Sequence, residues 1–352
     1  MIRTSAHPWS PHRSAAASQR SQSPLHLIRA SLRSPRVRLA AQVALLILCL
    51  LPIGRQAAQD WPAVSLLARQ VKASALLASV GALILGSLFL PTAMAAFTRS
   101  APRRINYRAS ALAYFGSQPM KYLPGSFWIL PGRVMLLQGL GHEASLASAA
   151  LLFEMTTQTF SAALVGVGLL GWGGFTSVWY RGVAWLILAG SSAVSLLLVI
   201  APALARRQLV RPTPIGRALA QVAEIPLPTR LANLLLATLL YAVMWLLMGV
   251  SFYALVVAAD PRLDVALLPV AIAIFALAWL AGFLTPISPG GIGVRESAIV
   301  LLLTPFVGGP QAVAVALLSR MLALAVELAF CAGAWLPWRK SFHTLHQPAR
   351  QP

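Results

Sequence analysis

Long apolar runs set the rhythm of this sequence. They cover roughly 38–54, 73–97, 144–170, 183–204, 231–258, 265–287, 292–306 and 312–337, with short polar stretches between them. A helix needs about 20 apolar residues to cross the hydrocarbon of a bilayer. The pattern therefore predicts an all-α, polytopic membrane protein with about eight transmembrane helices, although 292–306 is short for a full crossing. Residues 109–131 are apolar but interrupted by Gly116, Pro119, Pro124, Gly125 and Pro131. That stretch predicts a re-entrant or broken segment. Non-helical backbone at membrane depth survives only where it is packed in protein or lines a wet cavity.

The first 35 residues follow a different rule. They are rich in Ser, Arg, Pro and His and carry no apolar period, which predicts a disordered basic tail. A signal peptide has a short basic region ahead of its apolar core. This one is far too long, so a retained first span is expected, and a misassigned start codon is a second explanation of the tail. The domain reading is a tail over 1–35, an integral membrane domain over 36–338 and a short basic tail over 339–352.

Charge placement gives the orientation. Seven Arg and no acidic residue lie in the chain up to Arg38, and Arg99, Arg103, Arg104 and Arg108 form a second basic cluster. Arg206, Arg207, Arg211, Arg217 and Arg230 stand against Glu224 alone, and Arg339, Lys340 and Arg350 close the sequence. If 109–131 enters and leaves on one side, all four clusters share that side, while Asp60, Asp260 and Asp264 fall on the other. The positive-inside rule then predicts that both termini are cytoplasmic.

Composition agrees with this reading. Of 352 residues, 58% are hydrophobic and 10% are charged, against about 25% charged in a soluble domain. The net charge of +20 comes from 28 Lys and Arg against 8 Asp and Glu. Because these cations flank apolar runs, they read as topology signals and contacts to anionic lipid rather than a nucleic-acid footprint. Cys49 and Cys331 sit in apolar stretches without metal-site spacing. Trp128, Trp172, Trp179, Trp335 and Trp338 lie near predicted span ends, where an aromatic belt accounts for them.

Two places combine Pro, Gly and charge in apolar surroundings. The first is Lys121-Tyr122-Leu123-Pro124-Gly125, followed by Pro131-Gly132-Arg133. The second runs from Thr285 through Pro289, Gly290, Gly291 and Gly293 to Arg295 and Glu296. Here glycines precede an apolar helix predicted to begin near Val294. A helix start offers free amides and a partial positive charge, and Arg295 adds a fork of donors suited to phosphate or carboxylate. Glu296 falls in the first turn, where a carboxylate is favoured. An anionic headgroup fits this set, and so does an ordinary cytoplasmic turn between helices. The two Pro-Gly motifs stand 165 positions apart and each is followed by an Arg, the pattern of an inverted repeat with a site at its interface.

Polar residues also fall inside the spans. Glu154, Thr157, Gln158 and Ser161 share one face of 144–170, and Arg320 and Glu327 share a face of 312–337. Intramembrane charges are costly and face protein or water. Expected partners are Lys121 or Arg133 for Glu154, and Arg295 for Glu327. Mutual pairing that only holds helices together is the plainer alternative.

The stretch Tyr114 to Arg133, reading YFGSQPMKYLPGSFWILPGR, then Gly139 and Glu154, resembles the flippase-like transmembrane region of lysylphosphatidylglycerol synthases and their standalone homologues. PISPGGIGVRESAIVLLL over 286–303, with Ser319, Arg320 and Glu327, resembles the family's other hallmark. The resemblance spans roughly 38–338. It implies a bacterial inner-membrane protein with re-entrant elements around a lipid-accessible cavity. In the bifunctional synthases this region moves aminoacylated lipid across the bilayer, and a separate soluble domain makes that lipid. This sequence stops soon after its last apolar run, so aminoacyl transfer is not expected.

The resulting expectation is a lipid flippase or lipid-binding transporter acting on an anionic or polyprenyl-phosphate-type lipid. Lys121, Tyr122, Pro124, Gly125, Arg133, Pro289, Gly290, Gly291, Gly293, Arg295 and Arg320 would form the substrate site. Glu154, Glu296 and Glu327 would orient the cations or take part in gating. The alternative is an accessory protein that partners a glycosyltransferase or lipid-modifying enzyme without transporting. No enzyme and no cofactor are expected. All six His lie outside the spans, and His142-Glu143 lacks the second His of a zinc-protease motif. GWGGF at 171–175 lacks the Lys-Ser/Thr of a nucleotide loop, so transport would draw on an ion gradient, a lipid gradient or a partner.

Overall fold

In a computed structural model, residues 61–101, 104–122, 128–171, 225–285 and 288–345 are described, together with residues 58, 182, 185, 186, 188–193 and 220. Among them every regular element is helical. They are α1 (Trp61–Gln70), α2 (Ala73–Leu88), α3 (Thr92–Thr98), α4 (Tyr107–Ser117), α5 (Ile129–Gly139) and α6 (Ala144–Leu170). Then follow α7 (Leu227–Ala259), α8 (Leu268–Phe283), α9 (Val294–Val307) and α10 (Gly309–Leu345), with 3₁₀ turns at Gln118–Tyr122, Val265–Leu267 and Pro289–Gly291.

Six helical stretches among the described residues are long and apolar enough to cross a membrane: Ala73–Thr98, Ala144–Leu170, Leu227–Ala259, Val265–Phe283, Pro289–Val307 and Gly309–Trp335. The protein is thus an all-α polytopic membrane protein, and these six match the expected runs within a few residues. The expected span 38–54 lies outside the described residues. Of 183–204 only 185–186 and 188–193 are described, as helix. The last helix continues to Leu345, past the expected boundary at 338. The helix Trp61–Gln70 was not expected, because ten residues with Arg69 in the last turn are too few to register as a membrane run.

The elements end where the sequence supplies a reason. Pro91, which brings no amide hydrogen, separates α2 from α3. Asn106 caps α4 by accepting from the Ala109 amide at 2.9 Å. Prolines open α7 and α8 in the first helical turn, where an amide would be unpaired anyway.

The span Ala73–Thr98 and α7 lie antiparallel. Ser79 donates to the Ser251 carbonyl at 2.9 Å, Tyr241 to the Leu90 carbonyl at 3.0 Å and Asn233 to the Phe97 carbonyl at 3.2 Å. α8 packs between α6, α7 and α9, and α9 packs on α10. With hydrocarbon outside, such contacts depend on close approach and on polar groups finding partners. Gly249 shows the closeness: a Cβ there would stand 2.7 Å from Ile272 Cα. Trp245 Nε1 donates to Ser161 Oγ at 3.0 Å within the same layer.

α4 and α5 form an antiparallel hairpin. Gly116 faces Leu136, Ser117 bonds Arg133, and Gly132 faces Met120. Each arm has 11 residues, about 16 Å at ~1.5 Å per residue, roughly half of a ~30 Å hydrocarbon core. Its base lies beside the end of the first described span: Ser110 Oγ donates to the Pro91 carbonyl, and Thr98 Oγ1 receives the Ile105 amide. The hairpin therefore begins and ends on one side of the bundle. A helical hairpin thus stands where the broken run 109–131 predicted a re-entrant or broken segment.

Candidate functional site

The hairpin tip is set by what the sequence denies it. Pro119 and the Gly and Pro residues after Tyr122 cannot extend α4, and the chain tightens into the 3₁₀ turn Gln118–Tyr122. The second interrupted segment behaves alike. After α8, the turn Pro289–Gly291 carries Gly290 at φ +60° and Gly291 at φ +71°, and Gly293 follows at φ +85°. This left-handed backbone suits glycine and strains other L-residues. Gly291 packs so tightly on Gly282 that a Cβ would meet its Cα at 3.0 Å.

The two tips touch. A Cβ on Gly290 would come within 2.6 Å of the Tyr122 ring. Lys121 Nζ donates to Glu327 Oε1 at 2.7 Å, and the Tyr122 hydroxyl donates to Glu327 Oε2 at 3.1 Å. Arg320 Nη2 donates to the Gly290 carbonyl at 3.1 Å. Its Nε stands 3.6 Å from Glu296 Oε1, close enough for an ion pair and too far for a hydrogen bond. Thus α10 carries one residue to each tip, Glu327 to the first and Arg320 to the second.

Glu296 also turns back on its own helix, accepting the Gly293 amide at 2.6 Å. The free amides expected at the start of α9 are reduced accordingly, because the helix brings its own carboxylate cap. Arg295 is 8% exposed and stacks over Phe275, its guanidinium carbon 4.6 Å from the ring centroid. It has neither a hydrogen bond nor a carboxylate within 4 Å among the described residues.

A second charged station lies nearer the hairpin arm. Arg133 pairs with Glu154, the two being 2% and 1% exposed. Arg133 Nε donates to Ser117 Oγ at 3.0 Å, and its guanidinium carbon lies 4.1 Å above the Tyr114 ring centroid. Glu154 Oε2 is buried and has no hydrogen-bond partner. At ~1.5 Å per residue, Glu154 is about 15 Å from the start of α6 and Arg320 about 16 Å from the start of α10, so both stations lie well inside their apolar helices.

Both stations border one cavity of about 450 Å³. Its lining includes Lys121, Arg133, Glu154, Gly290, Gly291, Arg295, Arg320 and Glu327. Leu83, Leu90, Trp245, Met248, Trp279 and Phe283 are among its apolar lining residues. Its volume falls in the range of small-ligand sites, about 300–1,000 Å³, and such sites combine apolar walls with a few polar anchors. Phe283 and Leu284, 41% and 61% exposed, carry the lining to the outer surface of the bundle.

The structure thus brings together Lys121, Tyr122, Arg133, Glu154, Pro289, Gly290, Gly291, Gly293, Arg295, Glu296, Arg320 and Glu327 around or beside one chamber. Pro124 and Gly125 lie outside the described residues. The pairings resolve as Arg133 with Glu154 and Lys121 with Glu327, while Arg295 takes an aromatic face instead of Glu327. Sequence reasoning did not single out Ser117, Tyr114 and Phe275, which hold the cations, or Trp245 and Trp279 in the wall. Among the described residues no group of three His, Cys, Asp or Glu is placed to hold a metal ion.

The family model described as the lysylphosphatidylglycerol synthase TM region matches residues 38–331, a range that contains both tips and the whole chamber. A comparison with curated proteins gave no match.

Proposed function

The chain belongs to the lysylphosphatidylglycerol synthase transmembrane-region family, and on that premise we propose that it binds a membrane lipid in the chamber between the two tips and moves its headgroup across the bilayer. The observation that supports this most is the chamber's mixed lining. Charged side chains from the hairpin, α6, α9 and α10 share it with Trp245, Met248 and Trp279. A headgroup with an attached chain matches that mixture, because polar groups in hydrocarbon need polar partners and apolar tails do not.

The tip-to-tip arrangement suits translocation. Two helix–break–helix units, α4–α5 and α8–α9, bring their breaks into contact, as expected for inverted halves around a central site. Lys121, Arg295 and Arg320 are proposed as headgroup contacts. Glu327 bridges the hairpin to α10, and Lys121 is proposed to exchange Glu327 for the passing headgroup. Arg133 and Glu154 are proposed to anchor the hairpin arm. The reading further includes an inner-membrane location, both termini on the cytoplasmic side and no enzymatic step.

The test is fluorescent-lipid flipping in liposomes containing the purified protein. The expected result is flipping faster than in protein-free liposomes and slower with Lys121→Gln. Rates at the protein-free level, under conditions where lipid still co-purifies, would instead favour a lipid-binding accessory protein beside a glycosyltransferase or lipid-modifying enzyme.

A further inference from the structure

The charges around the chamber do not balance. Lys121, Arg133, Arg295 and Arg320 face Glu154, Glu296 and Glu327. Arg133 is matched to Glu154, Lys121 to Glu327 and Arg320 to Glu296. Arg295 is the cation left over among the described residues. It is more than nine-tenths buried, lines the chamber and stacks on the Phe275 ring, and among the described residues it has no hydrogen bond and no carboxylate within 4 Å.

Stacking on a ring holds a guanidinium in place without consuming its in-plane N–H donors. A buried charge without a counter-charge is costly, and the cost falls when a ligand supplies one. Resting on the lipid-binding reading, we infer that the chamber selects a lipid whose headgroup carries a single negative charge, a phosphodiester, and that Arg295 is the residue that reads it. A phosphodiester brings two oxygens to the guanidinium fork and cancels the surplus. A phosphomonoester brings further negative charge for which no cation remains. A zwitterionic headgroup leaves the surplus in place, and an aminoacylated headgroup with net positive charge adds to it. The tail is assigned to Trp245 and Trp279, which line the same chamber.

Detergent-purified protein, titrated with defined lipids and read by displacement of a fluorescent phosphatidylglycerol, tests this. Phosphatidylglycerol is expected to bind about tenfold or more tightly than phosphatidylcholine, as a charge-assisted contact requires. Lysylphosphatidylglycerol and phosphatidic acid should also compete less well. Arg295→Gln should bring phosphatidylglycerol down to the phosphatidylcholine level, and Arg295→Lys should keep most of the preference. Equal binding of phosphatidylglycerol and the zwitterionic or aminoacylated lipid by the wild type overturns the inference, as does an unchanged preference in Arg295→Gln. The lipid series on the wild type decides the matter even where Arg295→Gln does not fold. Saturable binding without charge preference sinks this inference alone. Absence of any saturable lipid binding sinks the lipid-binding reading beneath it.

Discussion

The two charged stations of the chamber use the same residue types for opposite ends. At Arg133 and Glu154 the pair is sealed, with Ser117 and the Tyr114 ring completing the guanidinium's surroundings. At the meeting of the tips, Lys121 and Glu327 keep 19% and 28% of their side chains exposed, and Arg295 has no carboxylate of its own. A sealed pair fixes one geometry. An open, cation-rich cluster has donors left to give. Burial and partner count, more than the presence of charge in a membrane, separate the anchor from the receiver.

That contrast breaks if the sealed pair proves dispensable. Removing one partner of a buried pair leaves an uncompensated charge and costs about 3–5 kcal/mol. Glu154→Ala should lower the unfolding free energy in detergent by that much, seen as a drop in thermal midpoint, while an Arg133→Met, Glu154→Met double variant should recover most of it. A smaller effect is expected at the glycine between the tips. Gly290→Ala imposes a left-handed conformation costing about 1–2 kcal/mol and drives a methyl into the Tyr122 ring. It should slow flipping by more than its loss of thermal stability suggests.

The open cluster should respond in the reverse manner. Lys121→Gln breaks an ion pair less buried than Arg133–Glu154 and should cost less stability than Glu154→Ala, yet it should reduce lipid flipping clearly. Arg295→Gln should alter stability least, staying within about 1 kcal/mol of wild type or rising above it, because the lost ring contact is offset by removal of an unmatched buried cation. A Glu154-sized loss of stability in Arg295→Gln would show that Arg295 is an anchor after all.

The spans were legible in the sequence because hydrocarbon demands continuous apolar length, and nothing else in a chain looks like it. The hairpin was legible from Pro119, Pro124 and Pro131, since each denies the helix a donor. The residues that crowd the chamber were legible too, because Lys121, Arg133, Glu154, Arg295, Arg320 and Glu327 are rare charges in apolar surroundings. The pairings were less so. Lys121 reaches Glu327 across 206 positions, and separation that large leaves no trace in local spacing. Tyr114 and Ser117 lie in the family-like stretch before Arg133 and could have been added from it. Phe275, Trp245 and Trp279 could not, because an apolar residue in an apolar helix carries no signal of which wall it forms.

A structure determined experimentally in phosphatidylglycerol nanodiscs tests the central claim most directly. The account predicts Tyr122 against Gly290 and a headgroup phosphate within hydrogen-bond reach of Arg295. Tips that stand apart, or phosphate density confined to the outer rim of the bundle while Arg295 packs against protein, would contradict it.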